Sequence, residues 1–173
     1  MTRATVKSSV PNVAVRTSTP SALNETSRER IVAALNERLA EGIDLHSQVK
    51  VAHWNVKGPG FPTLHPLFET FATALAQWND ELAERAVILG GTACGTTRIA
   101  ARTSRLAELP LEVQRDVELA ELLIARFDAF SEGLRDTRLM AEESGDIDTA
   151  DLLTGILQQH EKHGWFLRAT LGV

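Results

Sequence analysis

Cysteine is nearly absent from this 173-residue chain, and long apolar runs are absent altogether. The single cysteine, Cys94, excludes an internal disulfide framework and suits a reducing compartment. The N-terminal segment lacks the apolar centre of a signal peptide, and no stretch is apolar enough for a transmembrane helix. A net charge of −5 also argues against a globally basic nucleic-acid binder, although a local basic patch stays open. We therefore expect a cytoplasmic protein with no membrane partner.

Alternation of polar and apolar residues, the pattern of a half-buried strand, is also missing. Instead, apolar residues recur three and four positions apart in four long segments that end at glycine, proline or acidic turns. Thr26 and Glu29 form a capping box that predicts the start of the first helix. The expected fold is all-α: a four-helix bundle with a short helix in the long connection between helices 2 and 3. The expected helices occupy about 26–53, 64–89, 111–145 and 150–171, with the short helix within 96–110.

The N-terminal segment differs from the rest in composition. It is rich in Ser and Thr, and it has no acidic residue before Glu25. Such a segment buries too little apolar surface to offset its ordering entropy, so we expect a flexible basic tail over 1–25 and the bundle over 26–173. The candidate DNA contacts in this tail are Arg3, Lys7 and Arg16.

Metal-ligand residue types gather around a break in the helical pattern. His53 and His65 flank a segment broken by Gly and Pro, and Glu69 follows one helical turn after the second histidine. Asp80 and Glu84, four apart, lie further along the same predicted helix. At about 100° per residue, Glu69 and Asp80 point within about 20° of each other, so both pairs lie on one arc. A solvated polar face would also explain the acidic pair alone, but it explains the added histidines less well.

Distance decides how these residues can share an ion. Eleven residues separate Glu69 from Asp80, a rise of about 16 Å along the helix, whereas ligands must come within about 2.0–2.2 Å of an ion. One helix therefore cannot bring both pairs to the same metal. Either each chain carries two poor sites or a second chain completes one good site.

A symmetric dimer satisfies the second alternative. Two copies of the helix, antiparallel about a two-fold axis near residue 74, would bring His65 of one copy to the region of Glu84 of the other. The small side chains of Ala72 and Ala76 lie on the same arc and would allow close approach at the crossing. We therefore expect two equivalent sites in each dimer.

The ligand types narrow the choice of metal. Histidine and carboxylate without thiolate suit iron or manganese, with zinc as a competitor. Bundles that build a di-iron site within one chain use Glu-x-x-His motifs, and this chain has none. That difference also favours a site between chains.

Several sequence motifs carry a family resemblance. The segments "AHWNVKGPGFPTLHPLFE" and "NDELAERAVILGG" resemble the Dps family, the DNA-binding proteins from starved cells or mini-ferritins. Further on, "GDIDTADLL" and "WFLRATL" look like the fourth helix of that family. The resemblance covers nearly everything after about residue 28. It implies a ferritin-like four-helix bundle that assembles into a hollow homododecamer with ferroxidase sites at the two-fold interfaces.

The resemblance also implies residue roles. Carried over by position, His53, His65 and Glu69 come from one subunit, and Asp80 and Glu84 come from its partner, as catalytic and metal ligands. The family commonly has Asp where this chain has Glu69, a change that bears on a second metal. Family members oxidise Fe²⁺, preferably with hydrogen peroxide, and store ferric mineral, which protects DNA. The expected cofactor is Fe²⁺/Fe³⁺, as a di-iron site or as one iron with a weak second position.

An acidic cluster lies at the turn into the last helix. It fits a solvated loop that favours the helix dipole, whereas the resemblance implies an iron-entry pore at a three-fold axis. The pore candidates are Glu142, Asp146 and Asp151.

The remaining histidines and tryptophans are less specific. His46 lies on the apolar stripe and is expected to be a packing residue. His160 and His163, three apart, leave an accessory metal site open. Trp54 and Trp165 are expected to pack in a core or interface, with quenching of stray oxidants as the alternative.

Two further functions compete with iron oxidation and storage. The first is a DNA-compacting nucleoid protein whose metal site is mainly structural. The second is a helical adaptor with no chemistry. The set of five metal-ligand residues favours the iron enzyme over both.

Overall fold

The computed structural model of the chain describes residues 21–173, and the described part is all-α. The most extensive contacts join α1 to α2 and α4 to α5, while α1 also packs on α4 and on the short α3. The expected four-helix bundle, with a short helix between its second and third long helices, is confirmed. The five helices are α1 (Glu25–Asn55), α2 (Phe61–Ile88), α3 (Thr97–Thr103), α4 (Asp116–Glu143) and α5 (Ile147–Leu171).

The core is built from the apolar stripes that the periodicity predicted. Leucines from all four long helices are fully buried beside four phenylalanines, two from α2 and two from α4. Burial of each such side chain contributes about 1.5–3 kcal/mol, so the stripes supply the main force that holds the helices together. The four phenylalanines are Phe68, Phe71, Phe127 and Phe130.

The first helix begins earlier than the sequence indicates. Asn24 is the N-cap, and its side chain accepts a hydrogen bond of 2.9 Å from the backbone N–H of Ser27. The capping box predicted at Thr26 and Glu29 is therefore wrong. Asn is as good an N-cap as Ser or Thr, so two adjacent cap signals were present and the earlier one is used.

The starts of the second and third long helices also differ from the prediction. The second helix begins at Phe61 rather than near 64, because Pro62 falls in the first turn, where a missing N–H costs nothing. The third long helix begins at Asp116 rather than at 111. The backbone just before Asp116 is instead engaged in a bridge to the turn between α1 and α2.

This bridge holds the turn that separates the two candidate histidines. Lys57 N–H donates to the carbonyl of Gln114 at 2.8 Å, and Asp116 N–H donates to the carbonyl of Lys57 at 2.9 Å. The Asp116 carboxylate accepts from Gly60 N–H, a contact that lowers the pKa of Asp116. Gly58 has a positive φ of 137°, and a Cβ there would lie 2.4 Å from that carboxylate. The turn is therefore a fixed structure that sets how α2 leaves α1.

The predictions for residues 1–20 of the N-terminal tail lie outside the described residues. Arg3, Lys7 and Arg16 belong to that segment, so the division of the chain into a tail and a bundle stays a prediction. Among residues 21–173, no helix combines the length and the apolar character needed to cross a membrane.

Candidate metal centre

The fixed turn brings three of the predicted ligands together. His53 lies in the last turn of α1, and His65 and Glu69 lie near the start of α2. The two imidazole rings are stacked, with their centroids 3.8 Å apart and their planes within 19°. His53 Nε2 lies 3.4 Å from Glu69 Oε2. The structure thus places one half of the predicted site in one chain.

Reciprocal hydrogen bonds fix the two imidazoles. His53 Nδ1 lies 2.8 Å from the carbonyl oxygen of His65, and His65 Nδ1 lies 2.9 Å from the carbonyl oxygen of His53. A carbonyl oxygen only accepts, so each Nδ1 carries the proton that is donated. In the neutral rings each Nε2 then holds a free lone pair. Backbone carbonyls at Nδ1 orient metal-binding histidines in this way, so both rings are prepared to bind an ion through Nε2.

Glu69 is shared between the site and a lysine. Lys50, one turn before His53 on α1, places its ammonium 2.5 Å from Glu69 Oε2, the same oxygen that faces His53. This hydrogen bond is the largest cause of the lowered pKa of the Glu69 carboxyl. The carboxylate is therefore charged and available, but one of its oxygens already holds a cation.

Asp80 and Glu84 are not brought to the histidines within the chain. Both lie further along α2, exposed, and α2 is one continuous helix, so about 16 Å separates Glu69 from Asp80 along its axis. Within residues 21–173, no group of three His, Cys, Asp or Glu side chains is arranged to hold an ion. The acids predicted for the second half of the site are thus exposed on the same face of α2, about three to four turns from Glu69.

An exposed stripe of α2 joins the two halves. Its members recur three and four apart on the face opposite the buried leucines, and we call it the open stripe. Ala76 belongs to it, but Ala72 is buried in the bundle core, so the expectation that both alanines line the crossing is wrong for Ala72. Ala72 points about 60° away from Glu69 around the helix axis, and this difference is enough to turn Ala72 towards the core. The open stripe comprises Phe61, His65, Glu69, Thr73, Ala76, Asp80, Glu84 and Val87.

His160 and His163 lie away from this site, in the core between α2, α4 and α5. His160 packs against Phe127, with ring centroids 4.6 Å apart, and His163 packs against Phe71 at the same distance. Trp78 contacts both imidazoles. Burial is the main cause that lowers the pKa of each histidine to about 4. They are neutral core residues, and within residues 21–173 they belong to no group of three side chains that could hold a metal ion.

His46 is half-buried on α1, two turns before His53. Burial is the main cause of its lowered pKa; the Lys50 charge lowers it further and Glu69 opposes both. His46 therefore lies in the electrostatic neighbourhood of the candidate site. Its role in packing stays a prediction.

The acidic turn before α5 divides into two kinds of carboxylate. Asp146 is buried as the N-cap of α5: it accepts from Thr149 N–H and from the Arg85 guanidinium, the latter at 2.7 Å. Glu142 pairs with Arg138 on α4, and Asp151 is exposed on α5. The pore role of these residues stays a prediction, and within one chain Asp146 already has its partners.

Trp54 and Trp165 lie outside the core of the chain. Their exposed fractions are 68% and 60%, so the expectation of core packing is wrong for both, and the interface alternative stays open. Sequence reasoning missed Lys50 and Asp116. The signal for Lys50 was its position one turn before His53 on the same face. Asp116 had no such signal, because its partners are backbone groups of a distant turn.

Comparison with known proteins agrees with this architecture. A family model described as a ferritin-like domain matches residues 32–173. A DNA protection during starvation protein of Agrobacterium fabrum is 37% identical over 147 residues, which cover 85% of this chain and 91% of the relative.

Solved structures give the same result. DpsC from Streptomyces coelicolor superposes with a TM-score of 0.85 at 29% identity, covering 90% of this chain and 91% of that one. A Dps protein from Vibrio cholerae O1, described as a member of a broad superfamily of ferritin-like diiron-carboxylate proteins, has a TM-score of 0.81 at 28% identity, covering 89% and 99%. The chain belongs to the Dps family of ferritin-like proteins.

Proposed function

We propose that this protein oxidises Fe²⁺ with hydrogen peroxide at sites shared between two subunits and retains the ferric product inside a hollow homododecamer. Removal of both reagents would protect DNA from hydroxyl radicals. The kinship with Dps proteins and with diiron-carboxylate proteins supports this function.

One observation carries the proposal. His53 and His65 each present an Nε2 whose lone pair is fixed by the Nδ1 hydrogen bond, and a carboxylate oxygen of Glu69 lies 3.4 Å from the first of them. Neutral imidazole and carboxylate together suit Fe²⁺. The three groups would supply half of a coordination shell, and Asp80 and Glu84 of another copy would supply the rest.

The chemistry follows from this ligand set. Two Fe²⁺ ions each give one electron to hydrogen peroxide, the O–O bond breaks, and two hydroxide ions and two Fe³⁺ ions result. Transfer of both electrons at one site avoids release of a hydroxyl radical. Asp80 and Glu84 of the second subunit would balance the growing positive charge and bridge the ions. Fe³⁺ then hydrolyses and is stored as mineral.

The proposal extends to iron entry and to DNA. A ring of acids around a symmetry axis would concentrate Fe²⁺. Glu142 and Asp151 are the exposed candidates, although Glu142 pairs with Arg138, and Asp146 is buried against Arg85. Contact with DNA would rest on Arg3, Lys7 and Arg16 in the N-terminal segment, where many weak, salt-sensitive contacts add up across the assembly.

Complementation between two defective chains tests the shared site. His65→Ala removes one half of every site, and Glu84→Gln removes part of the other half. We expect each variant alone to lose at least about 100-fold in the rate of ferric absorbance after addition of Fe²⁺ and peroxide. Co-expressed with different tags, the two chains form mixed dimers in which one of two sites has both halves intact. Random mixing should therefore restore about a quarter of the sites.

The outcomes separate the alternatives. Restored activity in purified mixed assemblies requires ligands from two chains. Mixed assemblies as inactive as their parents would place the whole site within one chain. Wild-type rates in His65→Ala itself would remove the assigned site, provided that the circular dichroism of the variant shows an intact bundle.

A further inference from the structure

A phenylalanine covers the outer face of the paired imidazoles. Phe61 is the first residue of α2, and its ring stacks on His65 with centroids 4.9 Å apart and planes within 26°. His65 in turn stacks on His53, so the three rings form one column. Phe61 is 44% exposed in the single chain. A large apolar ring thus lies beside the candidate metal ligands and is partly open to water.

An apolar groove lies at the other end of the same helix. It has a volume of about 470 Å³, and four of its five lining residues are aliphatic. Val87 and Ile88 are 51% and 57% exposed, which is unusual for neighbouring aliphatic residues at the end of a helix. The fifth residue is Glu84, one of the predicted ligands. The groove is lined by Ala83, Glu84, Val87, Ile88 and Ala93.

The spacing between Phe61 and the first two ligands on α2 equals the spacing between the groove and the last two ligands, read in the opposite direction. From Phe61, steps of four residues lead to His65 and then to Glu69. From Ile88, the same steps lead back to Glu84 and then to Asp80. In two antiparallel copies of the helix, a single register therefore places the two members of all three pairs at the same height along the axis. That register puts the two-fold axis between residues 74 and 75, in agreement with the position expected from the metal ligands.

We propose that the Phe61 ring of one subunit occupies the groove beside Glu84 of a second copy of the chain, and that this contact sets the register that completes the metal centre. The inference rests on the proposed shared site and adds the apolar contact that aligns it. The occupant is a second copy because the groove wall carries the very acid that His65 lacks within its own chain.

The contact between Phe61 and the groove has two physical effects. Burial of two exposed apolar surfaces favours association, and it removes water from the outer face of the ring column. The ligands then face each other in a drier environment, where carboxylates and imidazoles hold a cation more firmly. A slip by one turn along the helix would separate His65 from Glu84 by about 5.4 Å, so the apolar contact has to be specific.

Disulfide trapping tests the register directly and needs no metal. In a Cys94→Ser background, Phe61→Cys is combined with Val87→Cys and, separately, with Ile88→Cys. Within one straight helix these positions are about 39 Å apart, whereas a disulfide needs Cα atoms within about 7 Å, so any bond must join two chains. We expect more than half of the chains to run as dimers on non-reducing gels after mild oxidation in at least one combination.

Controls identify non-specific coupling. The single Phe61→Cys and Val87→Cys variants should stay monomeric on the gel, because the two-fold axis sets unlike positions against each other. Phe61→Cys with Trp165→Cys, a residue that is 60% exposed, should also stay uncrosslinked. Absence of dimers in both Phe61 combinations, or equal dimer yield in the controls, would overturn the inference.

A second measurement follows the consequence for the metal centre. Phe61→Ala should weaken Zn²⁺ binding at least tenfold by titration calorimetry and should shift the assembly towards smaller species in sedimentation velocity. Phe61→Leu, which keeps the apolar contact, should stay within threefold. Unchanged affinity and assembly in Phe61→Ala would contradict the inference. Crosslinking without iron oxidation would instead leave the inference standing and remove the proposed function.

Discussion

Two pairs of histidines in this protein have opposite environments. His53 lies in the last turn of α1 and His65 near the start of α2. Each has its Nδ1 paired with a backbone carbonyl. His160 and His163 lie inside the bundle among aromatic rings. The His160 Nε2–H donates to the carbonyl of Phe127 at 3.1 Å, and the Nδ1 atoms of both core histidines have no hydrogen-bond partner in the described residues.

The comparison shows that the hydrogen-bond partner of the ring nitrogens and the exposure of the ring decide whether a histidine can bind an ion. A carbonyl at Nδ1 leaves Nε2 free at the surface, where an ion can reach it. In the core pair the Nδ1 atoms, which lack a partner among the described residues, are buried and the rings pack against phenylalanines instead. Burial then makes the charged form costly, so the core pair contributes to the pH dependence of folding rather than to binding.

The largest expected effect is a loss of folding stability at low pH, caused by the two core histidines. Because the pKa of each core histidine falls from 6.5 to about 4, both are neutral in the folded state and protonate more readily when the chain unfolds. Stability is therefore complete above about pH 6.5 and declines as the pH falls towards 4. We expect a loss of about 2 kcal/mol per histidine in the free energy of unfolding between pH 7 and pH 5, measured by urea titration with a chelator present.

A matched variant assigns that loss. In His163→Phe the ring still packs between Phe71 and Trp78 but cannot titrate. Its loss of stability over the same pH interval should be smaller by about 2 kcal/mol. The variant should bind Zn²⁺ as the unmodified protein does. An identical pH dependence in both proteins would show that His163 does not account for the acid sensitivity.

The next effect concerns the affinity of the site at the surface histidines for a metal ion. Lys50 holds the Glu69 oxygen that faces His53, so an incoming ion has to displace a cation already in place. Lys50→Met keeps most of the side-chain volume and removes the charge. We expect about tenfold tighter binding of Zn²⁺, worth about 1.4 kcal/mol, in titration calorimetry.

Lys50→Arg is the control for charge. It retains a cation next to Glu69 and should bind Zn²⁺ with nearly the original affinity. Equal affinity in Lys50→Met and the unmodified protein would mean that the lysine moves aside at no cost. Weaker binding in Lys50→Met would indicate that the lysine supports the site, contrary to the prediction.

Sequence reasoning predicted the positions of three candidate ligands more reliably than it predicted their surroundings. The periodicity of leucine and phenylalanine predicted all four long helices, because burial of an apolar stripe is a property of the pattern itself. His53, His65 and Glu69 were brought together as expected, since one turn of helix and one tight turn fix their spacing. The half-site could therefore be predicted from local geometry alone.

The features that could not be predicted from the sequence depend on contacts between distant segments. Asp116 holds the turn through Gly60 N–H, 56 residues away in the chain, and no local pattern announces such a bond. Ala72 shares an arc with Glu69 on a helical wheel, yet the bundle core begins within that arc. His160 and His163 have the spacing of a metal site, and only the rings packed around them show that they are core residues.

The smallest expected effect concerns a third kind of histidine. His46 is intermediate between the two pairs: half-buried, with a pKa lowered mainly by burial and further by Lys50. It precedes His53 by seven residues on α1, a rise of about 10 Å, so it cannot share an ion with His53 Nε2 in the same chain. His46→Gln should therefore change the affinity for Zn²⁺ by less than about threefold, or about 0.6 kcal/mol, in titration calorimetry. A loss of about 100-fold or more in that affinity would make His46 a ligand and would remove the distinction between packing and binding histidines on this helix.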